Sequence, residues 1–406
     1  MDPNSIKYFS EVFPMIIVAV DVAKDKHECF IMSSDGEIFF DPFPIANNRD
    51  GFNLLFDRIC SVSGSVEDVK AGLEATGHYH LDLLAFLLDK GLSTYLINPL
   101  HTSLFRRSLS LRKTKTDQVD ARALAMLMLS GQELQPCSSS SYSNDELKSL
   151  TRYRADKVRE RAKLKASISR LVTILFPEFE KLVPDLHMSS VYALLSEFPG
   201  ASYIAGAHLT RLSNLLSKAS KGRYGKAEAV CFRDTARESV GVRFPAKSLE
   251  LRHTIDLIRF LDREIEEIEA EIFALLEEDP PMMLSIPGIG PRMAAVIKAE
   301  VGDFNRFSSP DKLLAYAGLS PSTYQSGQLT STYAKMEKRG SKHLRFALIN
   351  ATKYVCIWDP VFHDYLAKKR AEGKHYNVAI SHAAKKLVRL IWHLETRHET
   401  YIARAV

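Results

Sequence analysis

At 406 residues, with 46% hydrophobic and 25% charged side chains, the chain is too long for one ordinary core and has the composition of a soluble globular protein of two or three domains. Its formal net charge of +5 is only mildly basic, and its five cysteines (Cys29, Cys60, Cys137, Cys231, Cys356) stand alone, which supports neither a zinc knuckle nor a disulfide framework and fits a reducing cytosol. Neither a signal peptide nor a membrane span is expected, because the first apolar run is short and ends in Asp21.

Residues 15–135 alternate between strand and helix patterns. Ile16 to Val20 is apolar on both faces, as a buried central strand should be. HECFIMSS and EIFFDPFPI follow, joined around the turn-forming pair Asp35-Gly36. A helix is predicted from Arg49 to about Cys60, with Phe52, Leu55, Phe56 and Ile59 on one face. VKAGLE then reads as a strand ending in Glu74, a helix carries Leu81, Leu84 and Leu88, STYLINP is a further strand, and the last helix starts near Asp117. Three strands, helix, strand, helix, strand, helix is the ribonuclease-H-like order in its RuvC-like version, though other α/β folds share it.

Residues 136–146 are small and polar and read as a linker. Residues 147–278 form a predicted helical region. From Leu147 to Leu175, helically spaced apolar residues interleave with Arg and Lys. Later, Leu251, Ile258, Leu261, Ile265, Ile268, Ile272 and Leu275 make a coiled-coil seam broken at Thr254. A hairpin packed on itself and an oligomerisation arm are both consistent with it. Residues 180–245 carry no legible pattern.

Residues 279–406 form a third, mostly α-helical unit. In SIPGIGPRMAAVIKAEVGD, a tight turn through Gly288 and Gly290 opens a helix with Ala294, Ala295, Ile297 and Val301 behind it, the pattern of the second half of a helix-hairpin-helix. Such a turn offers free backbone N–H groups to a phosphate, and Arg292 follows it. Lys338, Arg339, Lys342 and Arg345 then cluster before a helix, as a phosphate-binding patch or a merely solvated face.

Four carboxylates, Asp21, Glu74, Asp117 and Asp120, sit at two strand ends and one helix start. Singly, each reads as a loop residue or a helix cap. Jointly they suit Mg²⁺, or Mn²⁺ in its place, and Asp117 and Asp120 share a helix face. Paired metals would serve phosphodiester displacement, and Lys113 and Lys115 precede the pair as candidate phosphate contacts. Ser326 lies in the polar stretch from Gly318 to Gly340. A serine needs activation to act as a nucleophile, and on residue chemistry alone Ser326 is no better than Ser320, Ser322 or Ser331, with Tyr324 a rival.

VAVDVAK, LEATGHYH, KTDQVDARALA, IPGIGPRMAAVI and GLSPSTYQSGQ…KRGSKHLR, in this order, resemble the DEDD-type insertion-sequence transposases described as bridge-RNA-guided recombinases (insertion-sequence family one hundred and ten). The resemblance spans nearly the whole chain and is weakest over residues 180–245. It matches the family's acidic residues to Asp21, Glu74, Asp117 and Asp120 and its serine nucleophile to Ser326. It implies a RuvC-like metal domain, a coiled coil for homo-oligomerisation as dimer or tetramer, and a C-terminal transposase domain, with an active site shared between subunits. It also implies donor and target DNA as substrates, a structured noncoding bridge RNA as guide, and a prokaryotic, nucleoid-associated setting with no membrane. The expectation is an RNA-guided DNA recombinase. The alternatives are a metal-dependent junction endonuclease using water, and a non-enzymatic nucleic-acid scaffold whose carboxylates only cap.

Overall fold

The computed structural model describes residues 14–75, 77–109, 116–130, 134, 136–137, 140–321, 325–326, 329–330 and 336–403, without the side chains of 140–143, 325–326 and 329–330. The chain divides into two compact units, Met1–Ser143 and Asn144–Val406.

In the first unit the apolar run at the N-terminal side becomes the middle strand of a five-stranded mixed sheet. The elements are β1 (Ile16–Asp21), β2 (Lys26–Ser33), β3 (Ile38–Ala46), α1 (Arg49–Val62), β4 (Val69–Glu74), α2 (Leu81–Asp89), β5 (Ser93–Ile97), α3 (Pro99–Leu109) and α4 (Asp117–Leu129). The strand order is β3-β2-β1-β4-β5; β2 lies antiparallel to β1 and β3, whereas β1, β4 and β5 run parallel. Gly36, at φ +96°, makes the turn between β2 and β3, a left-handed conformation that glycine adopts without a Cβ clash.

Strand alternation sorts this core into two layers. Ile16, Val18 and Val20 pack with Leu55, Ile59, Leu83 and Leu87 beneath α1 and α2. Ile17 and Ala19 pack with Ala121, Leu124 and Ala125 beneath α4. The central strands are covered on both faces, which is why β1 is uniformly apolar. Two details depart from the expected pattern. The helix α3 was not foreseen, and α2 buries Leu83, Leu84 and Leu87 while Leu81 is exposed.

The second unit is mostly helical. A 36-residue helix, α5 (Ser140–Leu175), begins inside the stretch whose composition reads as a linker. It is followed by α6 (Ser189–Glu197), α7 (Ala201–Ala205), α8 (Leu209–Ala219), α9 (Lys226–Arg237) and the 34-residue α10 (Pro245–Glu278). The helices α6 to α9 pack with the C-terminal half of α5 and the N-terminal half of α10 around Phe176, Phe179, Leu195 and Ile255, so the illegible stretch is an ordered helical lobe.

The helices α5 and α10 run side by side as an antiparallel pair. Arg154 meets Glu269, Lys157 meets Glu264, Arg161 meets Asp262, and Arg170 meets Glu250. The buried face of α10 includes Thr254, whose hydroxyl is absorbed by its bond to the Glu250 carbonyl, and it ends at Leu276 where the heptad count pointed to Leu275.

The chain continues through α11 (Pro291–Val301), α12 (Pro310–Tyr316), β6 (Gln325–Ser326), β7 (Leu329–Thr330), α13 (Lys342–Trp358), α14 (Pro360–Ala371) and α15 (Tyr376–Arg397). These helices enclose their own core around Ile297, Leu344, Leu348, Phe362, Leu387 and Ile391. No helix among the described residues is long and apolar enough to cross a membrane.

Candidate functional site

Asp21 and Glu74 end the neighbouring parallel strands β1 and β4, whose register pairs Val20 with Leu73 one residue earlier. Alternation puts both carboxylates on the α4 side, because Ile17 and Ala19 face that helix and a Cβ on Gly72 would meet the Met128 sulfur of α4. Glu28 joins them. It is buried, sits directly opposite Asp21 on β2, and lies on the same layer as Phe30 and Met32. Spacing did not reveal it, since its importance lies in cross-strand register.

Thr116 is the N-cap of α4, its hydroxyl accepting from the Val119 N–H, so the cap is not Asp117. Asp117 is exposed in the first turn and Asp120 is buried one turn on. Arg106 of α3 donates to the Asp120 carboxylate and forms an ion pair with it. Lys113 and Lys115 lie outside the described residues.

An all-carboxylate set has the right chemistry for a hard cation. As arranged, however, no three acidic, His or Cys side chains among the described residues stand close enough to hold an ion. The carboxylates share a layer without closing a cage, and Asp120 is bound to Arg106.

In the second unit, Ser326 ends the two-residue strand β6, which pairs antiparallel with β7 so that Ser326 faces Leu329 across the ladder. Its side chain, and Ser322, Tyr324 and Ser331, lie outside the description. The base of this loop is tied at several points. Glu337 N–H donates to Ser320 O at 3.0 Å, Ser341 N–H donates to Tyr316 O at 3.2 Å, and Pro321 bridges Met336. One Arg345 nitrogen donates to both Ala317 O and Lys338 O, each at 3.2 Å, and so spans the two ends. Between these ties lie the paired strands β6 and β7, with Ser326 the last residue of β6.

The turn before α11 is held close to α13. At Gly288 (φ +96°) a Cβ would lie 2.6 Å from the Tyr354 carbonyl carbon and the Val355 nitrogen. Gly290, the N-cap of α11, has open space around its Cα. Arg292 is bound at 2.7 Å to Glu269, which Arg154 also reaches at 2.6 Å. Burial opposes ionisation of Glu269, and hydrogen bonds from Arg292 and Arg154 outweigh it, holding the carboxyl below its ordinary range. Lys338, Arg339 and Lys342 are exposed, while Arg345 is occupied by the loop carbonyls.

Beneath the basic cluster lies a buried carboxylate that spacing did not flag. Glu300 of α11 receives two hydrogen bonds from Arg152, at 2.7 and 3.0 Å, and one from Ser341 at 2.7 Å. Ser341 also caps α13 by accepting from the Leu344 N–H. Burial again works against the charge, and these bonds together with the Arg152 charge overcome it, so the carboxyl sits below the usual range.

A transposase model of the DEDD, IS110 type matches residues 18–177, the stretch that carries the acidic residues. A second model, described as "Transposase IS116/IS110/IS902 family", matches residues 281–367, the stretch that carries the glycine turn and the serine hairpin. Together they take in more than half of the chain. The chain belongs to the IS110/IS116 family of transposases. Relatives in this family include an uncharacterized insertion element IS116 protein of Streptomyces clavuligerus, 25% identical over 93% of this chain and 94% of its own length. An uncharacterized insertion element IS110 protein of Streptomyces coelicolor is 24% identical over 93% of each chain. A transposase for insertion sequence element IS1111A from Coxiella burnetii is 32% identical over 34% of this chain and 40% of its own length. As a transposase of this family, the protein acts on DNA, cutting and rejoining it.

Proposed function

We propose that this transposase is an RNA-guided recombinase that excises and inserts its own mobile element, with Ser326 as nucleophile. Asp21, Glu74, Asp117 and Asp120 would hold Mg²⁺, or Mn²⁺ in its place. When bound, the cation supplies charge neutralisation on the phosphate and the leaving oxygen. The Ser326 hydroxyl attacks the phosphorus; the new Oγ–P bond replaces the bond to a deoxyribose oxygen, which leaves with the proton. Attack by a second DNA hydroxyl reverses this and frees the serine, so bond energy is conserved through rejoining.

The observation that supports this reading most is the shared layer of Asp21, Glu74 and Asp120, with Asp117 one turn before Asp120, in a sheet of order β3-β2-β1-β4-β5. That order supports a ribonuclease-H-like, RuvC-like assignment for the first unit. The glycine turn before α11 supports a helix-hairpin-helix contact to a phosphate backbone, with Gly288, Gly290, Lys338, Arg339 and Lys342 nearest to it. A dimer or tetramer would bring carboxylates of one subunit to the serine of another, and a structured noncoding RNA would choose the donor and target sites by base pairing.

The decisive experiment sequences RNA that co-purifies with the protein and supplies it, with DNA bearing the element ends, to wild type and Ser326→Ala. Wild type should form a covalent protein–DNA adduct that survives denaturing gels; Ser326→Ala should form none while still binding the RNA. Undiminished recombination by Ser326→Ala would remove the serine from the mechanism. Recombination that proceeds equally without RNA would remove the guide.

A further inference from the structure

The outward face of α13 is unusual for a helix in the middle of a core. Phe346, Tyr354, Ile357 and Trp358 are exposed on it, with Tyr354 at 56% and Trp358 at 68% of their full accessibility. Tyr354 and Trp358 also form one wall of a cleft of about 450 Å³ whose other wall is Pro287, Gly288, Ile289 and Gly290. Leaving such rings in water forgoes a large apolar gain, so their exposure needs an occupant.

Charge identifies the kind of occupant. From Lys342 to Trp358 the helix carries Lys342, His343, Arg345 and Lys353 and no acidic residue, and the turn from Ile286 to Met293 carries none either. A polyanion is therefore favoured along this face. Aromatic rings with their faces in water are what unpaired bases stack on, while a base-paired duplex presents no free base faces. The protein cuts and rejoins DNA, so the single strand assigned to this face is DNA.

We propose that Tyr354 and Trp358 form a stacking platform for single-stranded DNA, with Lys342 and Lys353 beside its phosphates and Gly290, which has open space around it, letting the strand lie close to the backbone. This platform is independent of how the phosphodiester is broken.

The test uses the full chain. Its other tryptophan, Trp392, is partly buried and donates to the Phe307 carbonyl, so Trp392→Phe leaves Trp358 as the sole indole reporter. Titration with an oligothymidylate of about 15 nucleotides should quench Trp358 emission on binding. In the otherwise wild-type chain, the Tyr354→Ala/Trp358→Ala variant should bind the same oligomer about tenfold or more weakly, with an unchanged melting curve and an unchanged salt slope, because phosphate contacts remain. This second measurement stands even if Trp392→Phe does not fold.

Unquenched emission with DNA bound, or wild-type affinity in the double variant, would overturn the platform. So would a double variant that loses self-association in sedimentation at unchanged DNA affinity, since the face would then belong to a second copy. A more than tenfold preference for the matching RNA oligomer would overturn the assignment to DNA.

Discussion

Arg106, near the end of α3, is ion-paired with Asp120, one turn beyond Asp117 in α4, and Asp120 is almost wholly buried. A buried carboxylate with an arginine partner is stable without any metal. If the acidic layer is a cation site, Arg106 is the group a cation must displace from Asp120.

Removing Arg106 should therefore separate stability from cation binding. Without divalent ions, Arg106→Ala strands Asp120 and should cost roughly 3 kcal/mol, the scale for breaking a buried pair. Excess Mg²⁺ should recover much of that loss, and Mn²⁺ titrated calorimetrically should bind the variant more tightly than wild type. Melting curves with and without Mg²⁺ read the first effect. Equal losses under both conditions, with equal Mn²⁺ affinity, would leave the pair as architecture alone.

Glu28 supplies a second test of the same layer. It stands opposite Asp21 across the β1–β2 ladder, and like charges so placed repel. Glu28→Gln should raise stability by about 0.5 kcal/mol in chelator, on the scale of a cross-strand pair, and the gain should shrink when Mg²⁺ is added. Denaturant midpoints in the two buffers measure it.

Glu28 also shows where sequence reading ends. The strand β1 was legible because Ile16 to Val20 are covered on both faces, and α4 because Asp117 and Asp120 mark its start, although the cap itself proved to be Thr116. Asp21 and Glu74 fall on one face of the sheet because strand parity is fixed once β1 and β4 are aligned. Glu28 was not legible, since only the register with β1 brings it opposite Asp21. The helix α3 was missed because it buries one residue, Thr102, and so shows no apolar stripe. The lobe from α6 to α9 uses helices of 5 to 12 residues, too short for periodicity to stand out. The partners of Arg106, Arg152 and Arg292 come from other elements, and no spacing rule reaches them.

Glu300 should make the second unit acid-sensitive. Its carboxyl is held below the ordinary glutamate value of about 4.3. The bonds to Arg152 and Ser341 thus add stability that is present above that pH and is lost as pH falls through the lower folded value. Glu300→Gln should cost about 1–3 kcal/mol at pH 7, and its deficit against wild type should close below about pH 4. Thermal melts across that range would show a constant deficit if the carboxyl contributed only through its shape.

The glycine turn offers a paired comparison. Gly288→Ala drives a Cβ into the α13 backbone at Tyr354 in a left-handed conformation, and should cost at least about 2 kcal/mol. Gly290→Ala meets open space and should cost no more than about 1 kcal/mol, the range for an N-cap change. Because Gly290→Ala folds, its DNA affinity reports the turn's role directly; a large affinity loss with an intact melt would mark close approach of a phosphate.

Arg345 tests whether its charge or its two carbonyl contacts matter in the serine hairpin. Its guanidinium ties Ala317 O to Lys338 O, the two ends of the loop that carries Ser326. Arg345→Lys keeps the charge but loses the planar guanidinium that holds this nitrogen between the two carbonyls. If Arg345 were a phosphate contact, the lysine variant would keep most of its DNA affinity and its cleavage rate together, whereas Arg345→Ala would reduce the salt slope by about 1. As a positioning residue, it should instead leave DNA affinity near wild type in both variants and slow formation of the covalent adduct about tenfold or more, the effect of losing one charged hydrogen bond of about 1.5–3 kcal/mol. Measuring adduct rate and DNA affinity on the same preparations separates the two roles.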